Sequence, residues 1–108
     1  MTDVRAMLVG KVNDVWTRRV ETISSGALGE GEVLIAVEYS CINYKDGLST
    51  TEKGKVARID PLIPGVDLAG TVIESSDASI AVGAKVIVHG NDIGVAHNGG
   101  FATMARVP

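Results

Sequence analysis

The chain has 108 residues, enough for one domain with a buried core and too few for two of ordinary size. Hydrophobic residues make up 45% and charged residues 21%, a balance that excludes disordered, collagen-like and coiled-coil chains. A net charge of -3 with scattered cations offers no clustered basic face, so neither nucleic acid nor an anionic membrane is an expected partner.

No run approaches the roughly 20 apolar residues of a membrane span, and Met1 to Arg5 has no apolar leader. The single cysteine, Cys41, has no internal disulfide partner, which suits a reducing compartment; a cytoplasmic protein is expected, with Cys41 as a small core residue. Thirteen glycines against three prolines point to many tight turns and hence many short strands.

Val4 to Gly10 and Val15 to Ile23 are rich in apolar and β-branched residues and are predicted to pair through a turn within Gly10 to Asp14. Ser24 to Gly31, with Gly26, Gly29 and Gly31, is a turn segment. In Glu32 to Tyr39, Val33, Ile35, Val37 and Tyr39 share one face and Leu34 and Ala36 the other, the pattern of a central strand packed on both sides. Tyr44 to Thr51 is the one short helix expected, capped by Asn43 and weakened by Gly47.

Val56 to Pro64 is predicted to be extended, because Pro61 and Pro64 remove backbone donors and bias the residues before them away from helix. Lys53 to Arg58 is the nearest approach to a basic run, read as a solvated loop or as a rim that attracts the phosphates of a coenzyme A substrate or a nucleotide. Val66 to Glu74 and Lys85 to His89 are strands joined by a polar segment. Gly90 to Gly100 is a flexible loop and Phe101 to Val107 a last strand. The sum is a mainly β domain, a barrel or sandwich with almost no helix.

Several motifs in order carry a family resemblance: Gly-Glu-Val-Leu-Ile-Ala-Val-Glu-Tyr-Ser at 31–40, Asn-Tyr-Lys-Asp at 43–46, Ile-Pro-Gly-Val-Asp-Leu-Ala-Gly at 63–70 and Gly-Ala-Lys-Val-Ile-Val at 83–88. The chain resembles the GroES-like catalytic domain of the medium-chain dehydrogenase/reductase superfamily, in its zinc-free quinone oxidoreductase and acryloyl-CoA reductase-like branch. The resemblance implies a partly open β-barrel with one or two short helices over residues 1–108. It also implies an NADPH-dependent enzyme that reduces a small molecule, an α,β-unsaturated carbonyl, a quinone or an enoyl-CoA thioester.

Zinc alcohol dehydrogenases of this superfamily have a cysteine where this chain has Asn43 and a histidine where it has Val66. An amide and an isopropyl group do not replace thiolate and imidazole, so no zinc is expected, and Cys41, Asp67, His89 and His97 match no usual spacing of zinc ligands. Polarisation of a carbonyl then falls to hydrogen-bond donors. Tyr44 and Asn43 are the candidate catalytic residues, and Asn43, Tyr44, Lys45 and Gly47 the candidate cofactor contacts. Plainer roles stand beside these: Tyr44 as a packed aromatic, Asn43 as a helix cap, Asp46 as a helix-terminal carboxylate, Asp67 as a buried structural carboxylate and His97 as an exposed loop residue.

A dinucleotide fold needs a strand, a glycine-rich turn and a helix, and no such unit occurs before Pro108. The Rossmann domain is therefore expected to be absent, and the chain alone inactive. A free-standing GroES-like binding or assembly module is the alternative. A barrel without its closing strands would leave a sheet edge open, and a homo-oligomer through that edge is expected.

Overall fold

Asn13 and Asp14 both adopt left-handed backbone angles, φ 51° and 65°, in the computed structural model, which describes residues 2–90 and 92–108. Two such residues in succession give a turn whose twist suits a tight hairpin. It joins β1 (Asp3–Val12) to β2 (Val15–Ser24), antiparallel from Asp3 opposite Ser24 to Val12 opposite Val15. A single 3-10 turn, Ser25–Ala27, ends the hairpin, with the Ser24 side chain accepting the Gly26 N–H.

The remaining strands are β3 (Val33–Tyr39), β4 (Asp67–Ser75), β5 (Lys85–His89) and β6 (Met104–Val107). They form an antiparallel sheet in the order β5-β4-β3-β6, with the helix α1 (Tyr44–Ser49) between β3 and β4 in the chain. β3 buries both faces over Val33 to Ile35, as its period-two pattern requires, whereas Tyr39, grouped with Val33 by that pattern, is exposed. Val33 and Ile35 join Leu68, Val72, Ile93, Ala105 and Val107 in one apolar cluster. Leu34 turns the other way, to Val4, Ala6, Leu8, Leu28 and Ile63, and so seats the β1–β2 hairpin on the sheet.

The sheets are open, not closed into a barrel. A cavity of about 370 Å³, lined by Val33, Ile35, Ile80, Val86, Val88 and Val107 among others, lies where residues of β5 and β6 approach each other without pairing. A mainly β, partly open architecture with one α-helix is thus observed.

Four local expectations are corrected. Cys41 is exposed rather than in the core, because the chain has already left β3 at Tyr39. The last strand is only Met104–Val107; Phe101 and Thr103 instead donate to Pro64 O and Arg5 O, and Ala102 forms an isolated bridge with Ala6. The described part of 90–100 is internally bonded, with Gly94 N donating to His97 O at 2.7 Å and Ile93 and Val95 buried. His97 is half-buried, with its ring nitrogens 2.8 Å from Asn98 O and 2.6 Å from Glu30 O.

Candidate functional site

Asn43 holds extended backbone angles, φ -112° and ψ 165°, at the N-cap of α1, and the third helical residue is Asp46. A carboxylate at that place can reach back to the N-cap N–H. Asp46 does so, Oδ2 accepting Asn43 N–H at 2.9 Å and Asn43 Nδ2 at 3.3 Å. Its Oδ1 accepts the backbone N–H groups of Gly65 and Val66 at 3.2 and 3.0 Å. Asp46 is 1% exposed, so these N–H groups replace the water that a buried carboxylate would otherwise lack.

Asp67 extends the arrangement from β4. It is half-buried; Oδ2 accepts Asn43 Nδ2 at 3.1 Å, and Oδ1 accepts Cys41 N–H at 3.0 Å. Carboxylate oxygens on both sides orient the Asn43 amide nitrogen inward, since a reversed amide would set oxygen against oxygen. The far end of α1 is held by Ser49 Oγ donating to Asp46 O at 2.7 Å and by Trp16 Nε1 donating to Thr50 O at 2.9 Å.

Glycine is required where the Pro64–Gly65 turn meets the loop after β5. Gly65 has φ 108°, and a Cβ added at Gly99 would lie 2.1 Å from Gly65 O. Backbone against backbone leaves no room for a side chain there. Gly99 N donates to Ile63 O and Gly100 N to Gly65 O, fixing the loop beside Val66.

A cavity of about 510 Å³ opens between α1 and this loop; Asn43, Lys45, Arg58, Val66, His89 and Asp92 are among its lining residues. A neighbouring groove of about 300 Å³ is bounded by Tyr39, Cys41, Asp67, Ala69, Ile87 and His89. Farther along the same sheet, Lys85 Nζ lies 2.7 Å from Glu38 Oε1, and Thr71 Oγ1 donates to the same oxygen. The Lys85 ammonium first, then the Thr71 hydroxyl, hold the Glu38 carboxyl below its ordinary range.

The family model described as the alcohol dehydrogenase GroES-like domain matches residues 29–108. The chain belongs to this family. An acrylyl-CoA reductase of Ruegeria pomeroyi, AcuI, is 47% identical over 88 residues, 82% of this chain and 27% of that protein. YhfP of Bacillus subtilis, a candidate quinone oxidoreductase, is 43% identical over 104 residues; its crystal structure with NAD bound superposes with a TM-score of 0.93 over 100% of this chain and 33% of that one. The yhdH oxidoreductase of Salmonella enterica, in complex with NADP, gives a TM-score of 0.90 at 38% identity over 95% of this chain and 32% of that one. This GroES-like domain therefore spans about a third of the length of the proteins it resembles.

Within the GroES-like domain, Asn43 and Lys45 face the cavity together with Val66. Tyr44 does not line it; the side chain is 84% exposed, and no hydrogen bond to its phenol occurs among the described residues. The packed-aromatic role thus does not hold. Gly47 is exposed, and a Cβ there would meet nothing within 4 Å, so the fold of this chain does not demand glycine at that place.

One contributor escaped the sequence reading. Asp46 joins both motifs, whereas its position in Asn-Tyr-Lys-Asp suggested only a helix terminus. Arg58, read as part of a solvated loop or rim, reaches the cavity, its backbone N–H donating to Val95 O at 2.8 Å. At the two positions where zinc alcohol dehydrogenases carry ligands, the Val66 side chain has no donor atom and the Asn43 amide nitrogen is engaged by carboxylates.

Proposed function

We propose that this domain is the substrate-facing part of an NADPH-dependent reductase that adds hydride to α,β-unsaturated carbonyls, quinones or enoyl-CoA thioesters without zinc. The observation that carries the reading is the single carboxylate, Asp46, tying Asn43 to Val66 at the wall of one cavity, with neither residue a metal donor. The names of the relatives, an acrylyl-CoA reductase and a candidate quinone oxidoreductase, and the NADP and NAD in the related structures support it.

Hydride arriving at the β carbon drives negative charge onto the carbonyl oxygen, and a donor aimed at that oxygen lowers the barrier. The Tyr44 phenol lies outside the cavity lining, exposed and with no hydrogen bond among the described residues, and is the proposed donor to a substrate held at the mouth of the cavity. Asn43, oriented by Asp46 and Asp67, lies at the nicotinamide end, with Lys45 and Gly47 beside the cofactor. The nucleotide-binding fold belongs to polypeptide outside residues 1–108.

The test is a chimera in which this domain replaces the matching third of the Bacillus subtilis relative, assayed for NADPH oxidation with acrylyl-CoA and with quinones. Turnover that resists metal chelators and falls on Tyr44→Phe supports the reading. Turnover that requires added zinc, or hydride transfer by the 108-residue chain alone, overturns it.

A further inference from the structure

The described residues contain four ion pairs, Lys11–Glu52, Arg19–Glu21, Lys85–Glu38 and Arg106–Glu74, and neither Lys45 nor Arg58 takes part in one. Both cations are exposed, yet both line the cavity that Asn43 and Val66 share. Lys45 does nothing for its helix, whose first turn favours anions over cations. Arg58 reaches the same cavity from a segment that has no regular secondary structure, its backbone N–H donating to Val95 O.

The negative groups nearby are mostly occupied. Asp46 and Asp67 turn their oxygens to N–H donors, and Asp92, on the loop side of the cavity, is the remaining carboxylate among its lining residues. Two cations outside any ion pair against one such carboxylate leave the lining net positive, so the cavity favours an anion. A planar guanidinium and a mobile ammonium together suit tetrahedral, multiply charged oxygen groups.

We infer that Lys45 and Arg58 form an anion-binding subsite for a phosphate or pyrophosphate group, carried by an acyl-thioester substrate or by a nucleotide. The subsite gives the cavity a charge preference that a neutral quinone cannot use. The inference borrows from the reductase reading only the choice of ligands to test, and its assay measures binding without turnover. A failed hydride assay therefore leaves it standing, and a failed binding assay leaves the hydride assay to be read by itself.

The experiment titrates the 108-residue chain with inorganic pyrophosphate, coenzyme A, NADP and phosphate-free pantetheine, following backbone amide shifts. Pyrophosphate and coenzyme A should shift the amides of Lys45, Arg58 and Val95, weaken as salt rises, and lose roughly tenfold in affinity in Lys45→Gln/Arg58→Gln, as expected for two charge-assisted contacts. Lys11→Gln, which removes the same charge from a paired lysine elsewhere, should change nothing. Tighter binding of coenzyme A than NADP assigns the subsite to the substrate, and the reverse order assigns it to the nucleotide. Both outcomes support an anion site. Equal binding of pantetheine, or affinity untouched by the double substitution in a chain whose circular dichroism is unchanged, overturns it.

Discussion

Asp46 Oδ1 accepts the backbone N–H of Val66 at 3.0 Å, a bond between residues 20 apart in sequence. Its other oxygen holds Asn43, so one buried side chain sets the spacing of the two walls of the cavity. Asp46→Asn keeps the shape but offers an amide N–H₂ where backbone donors converge. Leaving buried N–H groups unpaired should lower stability by about 3 kcal/mol. Urea denaturation measures this, and a loss of less than about 0.5 kcal/mol, the usual range of a surface substitution, would show that the carboxylate does not join the two segments.

The double substitution Asn43→Cys/Val66→His tests whether those positions face each other. A thiolate and an imidazole on one cavity wall, next to the Asp67 carboxylate, form an incomplete tetrahedral set that water can fill. The variant should bind cobalt(II) with a sulfur-to-metal charge-transfer band that neither single substitution gives. Identical spectra for the double variant and the cysteine single variant would mean that the histidine points elsewhere.

Gly47 separates fold from function. An added Cβ meets nothing, and alanine is favoured over glycine inside a helix by about 0.8–1 kcal/mol, so Gly47→Ala should stabilise the 108-residue chain by close to that amount. If the cofactor approaches this backbone, the same substitution in the chimera should raise the KM for NADPH. A stabilised domain with an unchanged KM would remove Gly47 from the cofactor contacts.

Much of the architecture was legible. The two apolar, β-branched runs on either side of Gly10 to Asp14 mark the hairpin, and the alternation from Val33 marks a strand buried on both faces. What escaped was mostly backbone. The partners of Asp46 at Gly65 and Val66 are amide groups, which every residue has, so no residue type announces them. The glycines after β5 suggest flexibility by composition, yet Gly99 is small because Gly65 O occupies the space of its missing side chain. Cys41 was assigned to the core by residue type, but a bulge between Val37 and Tyr39 precedes it and its N–H is tied to Asp67 at the cleft.

Glu38 on β3 ties three strands together, meeting Thr71 on β4 and Lys85 on β5. Its carboxyl is depressed by Lys85 and then Thr71, so the stabilisation it supplies is present above the ordinary carboxylate value and is lost as pH falls through the lower folded value. Carbon NMR titration of Glu38 should give a midpoint below that of a model glutamate. In Lys85→Gln the midpoint should move back up; a midpoint unaffected by that change would deny the pairing.

β5 pairs with β4 alone among the described strands, and Tyr39 and Ile87, 75% and 82% exposed, flank Ala69 in one cross-strand row. An unpaired edge next to exposed apolar side chains favours pairing with another chain. The 108-residue protein is expected to dimerise through this edge, with the apolar row providing the burial and the β5 backbone the directional hydrogen bonds. Analytical ultracentrifugation should find the dimer at high concentration, and Ile87→Lys should return it to monomer by placing a charge in the row. A wild-type chain that stays monomeric at millimolar concentration would overturn the prediction.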